Sequence, residues 1–226
     1  MTLVSEMWAP GDEAGVESSG PFERRWRAVW EAMERRGIEA IAVYGRGCVG
    51  SFGALQFLTG FYPGPKGAFG VIEAGRPPVL VAATTIEEMQ MRAAVRAPGV
   101  IVRRVPRETS SAAAGALLEA AGDGALGFAA PPGGPVSSDL YRLRGAVGIR
   151  ELVDATELID GARTVKGPED VDALVEAAAG ADAAIELFAD RFEIGMSERE
   201  AAAAIDAELS RRGALTRLVF VSGGEF

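Results

Sequence analysis

Residues 163–224, RTVKGPEDVDALVEAAAGADAAIELFADRFEIGMSEREAAAAIDAELSRRGALTRLVFVSGG, decide how the chain is organised. They open with Arg163, Lys166 and Glu169 spaced three residues apart. Pro168 stands where a first-turn proline fits a helix, and Glu169 and Asp170 complement the positive end of the helix dipole. Apolar residues then recur at steps of three and four, which predicts an amphipathic helix of about six turns. These residues are Val171, Leu174, Val175, Ala178, Ala181, Ile185, Phe188 and Phe192.

A second helix and a strand follow in the same stretch. Gly195 breaks the first helix, and Ser197 with Glu200 three residues later forms the pattern of a capping box. The second helix is expected to stop at Gly213. The β-branched and aromatic run from Leu215 to Val221 then predicts a strand. Two helices and a strand of another α/β protein would also satisfy these signals.

As an ordered set, these elements resemble the opening of the pita-bread catalytic domain of the creatinase, prolidase and aminopeptidase P family of metallopeptidases. The set comprises Arg-x-x-Lys-x-x-Glu at 163–169, Gly-x-Ser-Glu-x-Glu at 195–200, Arg-Gly-Ala at 212–214, and a strand that runs into Ser222-Gly223. The resemblance covers roughly residues 160–224 well and the preceding region more loosely. It implies that residues 169–226 are an incomplete pita-bread α+β domain, truncated after its first elements.

Composition limits the classes of function. The chain has 226 residues, of which 48% are hydrophobic and 24% charged, as in globular proteins. A net charge of −9 without a dominant basic cluster argues against nucleic-acid binding. Lone Cys48 cannot form an intrachain disulfide, and no apolar run approaches the ~20 residues of a membrane span. The first residues are acidic, unlike a secretory signal, so we expect a cytoplasmic protein without a membrane partner.

Residues 21–155 predict a separate α/β domain, because strands alternate with helices as in a mixed sheet covered by helices. Residues 1–20 are rich in glycine and polar residues and predict a flexible arm, and residues 156–168 are interpreted as a linker. The expected elements are a helix from Pro21 to Gly37, a strand at Ile38–Tyr44, a hairpin of Ala68–Glu73 and Val79–Ala82, a helix capped by Thr85 and Glu88, a strand at Val100–Val105, a helix at Thr109–Ala121, a strand at Ala125–Ala129, a helix from Ser138 to Arg144, and a last strand at Glu151–Asp154.

A second resemblance lies in Leu58-Thr59-Gly60-Phe61. With the preceding residues, interpreted here as a strand, it is similar to the Asn-x-x-Tyr-Leu-Thr-Gly-Phe signature of the N-terminal domain of the same family. Ala54 replaces the asparagine and Phe57 replaces the tyrosine, which removes two polar groups from this signature. The resemblance implies a creatinase-type N-terminal domain with a ribonuclease-H-like fold.

No residue constellation in the chain predicts catalysis. The sequence contains no histidine, and residues 21–155 contain no Gly-x-Ser-x-Gly nucleophile elbow. The family resemblance implies two divalent metals, manganese or cobalt, held by two aspartates, a histidine and two glutamates. In the family these ligands follow the strand that matches Leu215 to Val221. We therefore expect no metal ligands or catalytic residues in this chain, and no activity of the chain alone.

The resemblance favours a fragment of a metal-dependent Xaa-Pro peptidase of the aminopeptidase P or prolidase type. A creatinase-like, metal-independent C–N hydrolase and a non-catalytic peptide- or protein-binding module on the same scaffold are alternatives. The family resemblance also implies that the substrate is a peptide or a small amide and that the protein forms a homo-oligomer. Tyr62 and Lys66, in the loop after Phe61, are the candidate substrate-binding residues. A solvated lysine at the tip of a turn is the competing interpretation of Lys66.

Overall fold

The computed structural model describes residues 20–48, 50–105, 111, 114–115, 117–118, 121, 123–131, 134–135, 137–147, 150–215 and 218–223. The predicted arm at 1–20 therefore lies outside the described residues except for Gly20. Parts of the predicted helix at Thr109–Ala121 lie outside them as well. The chain divides into two compact units, Met1–Val165 and Lys166–Phe226.

In the described part of the first unit, six strands form one mixed sheet. They are β1 (Ile38–Gly45), β2 (Ala68–Glu73), β3 (Val79–Ala82), β4 (Ile101–Arg104), β5 (Ala125–Ala129) and β6 (Leu152–Asp154). Their order across the sheet is β4-β3-β2-β1-β5-β6. The neighbours β1 and β2, and β2 and β3, are antiparallel, whereas the other neighbours are parallel. The mixed-sheet α/β fold predicted from the sequence is thus confirmed.

Helices cover both faces of this sheet. The helices whose bounds lie within the described residues are α1 (Pro21–Arg36), α2 (Gly53–Thr59), α3 (Thr85–Ala94), α4 (Ser137–Val147) and α5 (Thr156–Thr164). The described residues of the predicted helix at Thr109–Ala121 are helical from Ser111 to Leu118. The side chains of β1 alternate between the two faces: Ile41 and Val43 join a core with α1, α2 and α5, while Ala42 and Tyr44 join a core with α4. A strand buried on both faces reads as a continuous apolar run, which is why Ile38–Tyr44 was recognisable in the sequence.

Helix α1 anchors the first core. Pro21 occupies its first turn, and Gly37 ends it with a left-handed φ of 64°, as the sequence predicts. Of its aromatic residues, Phe22 and Trp30 are partly buried, whereas Trp26 is only 1% exposed. The Trp26 indole Nε1 donates a hydrogen bond of 2.7 Å to the Leu58 carbonyl. A buried indole N–H normally finds such a partner.

The interpretation of the residues before Gly60 as a strand is wrong, because Gly53–Thr59 form helix α2. The Thr59 hydroxyl donates to the Leu55 carbonyl at 2.7 Å and accepts from the Phe61 amide at 3.1 Å. Gly60 ends the helix with a φ of 68°. The Leu-Thr-Gly-Phe segment is therefore the capped end of a helix, and its glycine is required by this left-handed conformation.

Three other boundaries differ from the sequence-based expectation. The capping box of α3 is formed by Thr84 and Glu87, one residue before the predicted pair, because Thr84 has the extended conformation of an N-cap. Helix α4 runs from Ser137 to Val147, so it begins one residue before the predicted Ser138 and extends beyond the predicted end at Arg144. Within the predicted linker at 156–168, Thr156–Thr164 form helix α5, whose Leu158 and Ile159 side chains belong to the first core.

The second unit contains the two predicted helices, α6 (Pro168–Arg191) and α7 (Glu198–Arg211). The capping box of α7 forms as predicted: the Glu200 amide donates to the Ser197 hydroxyl, and the Ser197 amide donates to the Glu200 carboxylate at 2.9 Å. Small side chains bury between the helices, with Ala184 2% and Ala201 3% exposed.

The strand predicted at Leu215–Val221 is not formed in the described residues of that range. A strand needs a neighbouring strand for its backbone hydrogen bonds, and the described residues of this unit contain none. Instead, the Gly223 amide donates to the Glu198 carboxylate at 2.7 Å. Within the described ranges, no helix combines the length and apolar composition required to cross a bilayer.

Helix α5 is an integral part of the first unit, and this can be tested. Leu158 is 4% exposed, so Leu158→Ala should lower the free energy of unfolding by about 2–5 kcal/mol through lost burial and a cavity. Chemical denaturation followed by circular dichroism measures this change. Val165→Ala, at a position 81% exposed, is the matched control and should change it by less than about 0.5 kcal/mol. Equal effects of the two substitutions would contradict the assignment of α5 to the core.

Candidate functional site

Two loops meet at one edge of the sheet. The 46–52 loop follows β1, and the 60–67 loop precedes β2. Because β1 and β2 are antiparallel and Gly45 pairs with Ala68, the end of β1 and the start of β2 lie at the same edge. We call the residues of these two loops the loop edge. It contains Tyr62 and Lys66, the candidate residues from the sequence.

The loop edge is held together by backbone contacts. The Gly47 amide donates to the Gly64 carbonyl at 3.0 Å, and the Arg46 amide donates to the Ser51 carbonyl at 2.9 Å. A Cβ atom at Gly47 would lie 2.3 Å from the Pro63 carbonyl oxygen, which is too close for any other residue. The glycine at 47 thus serves close packing of two loops, and the sequence pattern around it is not a phosphate-binding loop.

The two candidate residues have different environments. The Tyr62 ring is half-buried and packs against Phe52, with ring centroids 5.1 Å apart at a tilted angle of 53°. Lys66 is exposed, as are its neighbours Gly64 and Pro65. Such a geometry gives Tyr62 one fixed orientation and leaves the Lys66 ammonium accessible to a ligand. A substrate-binding role of either residue stays a prediction.

Arg46 adds a second cation to the loop edge, which the sequence analysis did not single out. Hydrogen bonds with Ser51, and to a smaller extent with Arg46, lower the pKa of the Cys48 thiol. Their effect is larger than the opposing effect of desolvation, which raises this pKa. Burial raises the pKa of the Tyr44 hydroxyl, and nearby Arg46 opposes this shift. Arg46 and Lys66 are thus two cationic side chains on the loop edge, whose other described residues include no aspartate or glutamate.

A small cleft of about 90 Å³ lies beside the loop edge, near the carboxyl ends of the parallel strands β1 and β5. Its volume corresponds to a few water molecules and is too small for a peptide. On one side of the cleft, the Ala130 amide donates a hydrogen bond of 3.3 Å to the Thr156 hydroxyl. Arg163 and Asp160 form an ion pair of 2.7 Å on another. The lining residues are Gly50, Gly53, Ala54, Ala129, Ala130, Pro131, Thr156, Ile159, Asp160 and Arg163.

Among the residues that the structure describes, no three histidine, cysteine, aspartate or glutamate side chains lie close enough together to hold a metal ion. The chemistry available at the loop edge is binding and orientation, through a cationic side chain, a hydroxyl and an aromatic face.

Comparison with known proteins gives matches at the level of structure. The sequence matches no protein-family model and no curated protein. The fold matches a prolidase from Pyrococcus horikoshii OT3 at 16% identity with a TM-score of 0.64, covering 83% of this chain and 48% of that one. It also matches an Xaa-Pro dipeptidase from Bacillus anthracis at 17% identity with a TM-score of 0.65, covering 84% of this chain and 49% of that one. An X-Pro aminopeptidase from Thermotoga maritima MSB8 matches at 16% identity with a TM-score of 0.62, covering 79% of this chain and 48% of that one.

These matches concern the fold. The chain spans about half the length of the structures that it matches. The mixed-sheet α/β fold predicted for the N-terminal region is confirmed, and it is the fold of these structures over the matched part.

Proposed function

We propose that this chain is a fragment of a metal-dependent Xaa-Pro peptidase of the aminopeptidase P or prolidase type. The observation that carries the proposal is the fold likeness, which extends over most of this chain and about half of each peptidase. The two sequence resemblances support it independently, because they fall in the two different units. Fold alone does not fix function, so the assignment depends on the tests below.

In this proposal the loop edge contributes to substrate binding. Lys66 supplies an exposed ammonium that can meet a substrate carboxylate or main-chain oxygen in a charge-assisted hydrogen bond. Tyr62, fixed against Phe52, presents an aromatic surface suited to an apolar ring such as that of proline. A peptide with an Xaa-Pro bond carries both kinds of group, whereas a small amide supplies the carbonyl oxygen for the contact with Lys66.

The metal pair would be supplied by other parts of a complete peptidase. Two divalent ions, manganese or cobalt, would provide a nucleophilic water of lowered pKa. The described residues offer no cluster for them, so their proposed part is to bind and orient the substrate. The 226-residue chain alone is accordingly proposed to be inactive. We also propose the cytoplasm as the compartment, because lone Cys48 cannot form an intrachain disulfide.

Peptide hydrolysis tests the function. The longest chain that the gene encodes should cleave an Xaa-Pro dipeptide with added manganese and lose this activity after chelation, whereas the 226-residue chain should not cleave it. Release of free proline is the measurement, with a no-protein sample as control. Hydrolysis of a small amide that resists chelation would instead indicate the creatinase-like alternative. Peptide binding without hydrolysis would indicate a binding module.

Lys66→Ala tests the role of the loop edge in an active form of the protein. Loss of one charge-assisted contact should lower kcat/KM about ten- to a hundredfold, equivalent to roughly 1.5–3 kcal/mol. The free energy of unfolding should barely change, because an exposed loop lysine has little packing to lose. Arg76→Ala, another exposed cation, in the β2–β3 turn, is the matched control. Unchanged kinetics for Lys66→Ala would leave Lys66 as a solvated turn residue.

We further propose that the protein forms a homo-oligomer. Apolar side chains on the second unit are exposed, among them Leu174 at 56%, Ile185 at 64% and Phe220 at 85%. Exposed apolar surface of this kind favours association. Light scattering of the purified chain at micromolar concentration should give a mass above that of one copy, and a monomer would contradict the proposal.

A further inference from the structure

The guanidinium of Arg163 packs directly on the backbone of Gly53. A Cβ atom placed on Gly53 would lie 2.2 Å from Arg163 Nη2, 2.9 Å from Cζ and 3.5 Å from Nη1. The planar group therefore occupies the space that a side chain at position 53 would need. Arg163 is the first residue of the Arg-x-x-Lys-x-x-Glu motif, for which the proposed function gives no role.

Arg163 reaches Gly53 from a fixed support. It belongs to α5, and Leu158 and Ile159 of this helix are buried in the first core with exposures of 4% and 1%. Asp160, one turn earlier, accepts a hydrogen bond of 2.7 Å from Arg163 Nη1. An arginine fork held by a carboxylate loses less freedom on packing than an unrestrained side chain would.

The contact continues from Gly53 to the candidate residue Tyr62. Gly53 is the first residue of α2, and Phe52 precedes it as the N-cap. The Phe52 carbonyl accepts from the Gln56 amide at 3.1 Å, so the backbone at 52 is tied to the helix. The Phe52 ring in turn packs on the Tyr62 ring. Arg163, Gly53, Phe52 and Tyr62 thus form one continuous row of contacts.

We propose that Arg163 is a positioning residue for the loop edge. Its guanidinium fixes the start of α2, and through Phe52 it holds Tyr62 in the orientation described above. The consequence for substrate binding rests on the proposed function. The packing itself does not, and it can be measured without any substrate.

Amide hydrogen exchange of the 226-residue chain, resolved by mass spectrometry, tests the proposal. Arg163→Ala should speed exchange in residues 46–56 by about two- to fivefold, the range expected for the loss of one partly exposed packing contact. Exchange in β2 and β3 should be unchanged. Arg76→Ala removes a comparable exposed ion pair elsewhere and is the matched control, which should leave residues 46–56 unaffected.

Two further variants separate packing from charge. Gly53→Ala should reproduce the effect of Arg163→Ala, because the new methyl group displaces the guanidinium, and the double variant should match Arg163→Ala alone. Arg163→Lys keeps a cation near Asp160 but has no planar group to cover Gly53, so it should not restore slow exchange. The proposal would be overturned if the exchange rates of the double variant rose by the product of the two single effects. It would also be overturned if Arg163→Lys exchanged as slowly as the unmodified chain, or if Arg163→Ala left exchange unchanged. If Arg163→Ala fails to fold, Gly53→Ala alone decides, and peptidase results have no bearing on the outcome.

Discussion

The buried hydrogen bond from Trp26 Nε1 to the Leu58 carbonyl constrains where the 60–67 loop of the loop edge begins. It is 2.7 Å long and joins α1 to the last turn of α2, so the end of α2 has one position relative to the core. The Thr59 hydroxyl and the left-handed Gly60 then turn the chain sharply. A buried N–H donor without an acceptor would carry its full desolvation cost. Moving the Leu58 carbonyl away from the indole would therefore destabilise the fold. The direction of the 60–67 loop follows from that position.

Local signals in the sequence were sufficient for most of the fold. The periodic helices α1 and α6, the apolar strand β1 and the hairpin of β2 and β3 all lie where spacing and turn residues predict them. The segment before Gly60 was misassigned because a short apolar run such as Leu55-Gln56-Phe57-Leu58 fits a buried strand and a buried helix equally well. Gly60 was the informative residue there, since a glycine just past an apolar run is typical of a helix end.

The candidate site was less accessible to sequence reasoning. Turn-forming residues around Lys66 correctly predicted a loop with an exposed lysine. The approach of Gly47 to Pro63 and of Arg163 to Gly53 joins residues that are distant in the chain, and neither contact leaves a local pattern. Glycines at 47 and 53 were visible in the sequence, but their purpose depends on which atoms the fold brings against them. Arg46 was missed for a different reason: its side chain meets Cys48, and its amide meets the Ser51 carbonyl, only in the particular conformation of this glycine-rich loop.

The second unit separates what local chemistry specifies from what requires a partner. The capping box at Ser197 and Glu200 forms, and α6 runs its predicted length although Leu174, Val175 and Ile185 on its apolar face are more than half exposed. Caps and helical hydrogen bonds are satisfied within a few residues of sequence. A strand is not, since its amides need acceptors on another strand. Leu218 and Phe220 are exposed and belong to no strand. We therefore expect a strand at 215–221 to form only beside a neighbouring strand that supplies the backbone acceptors.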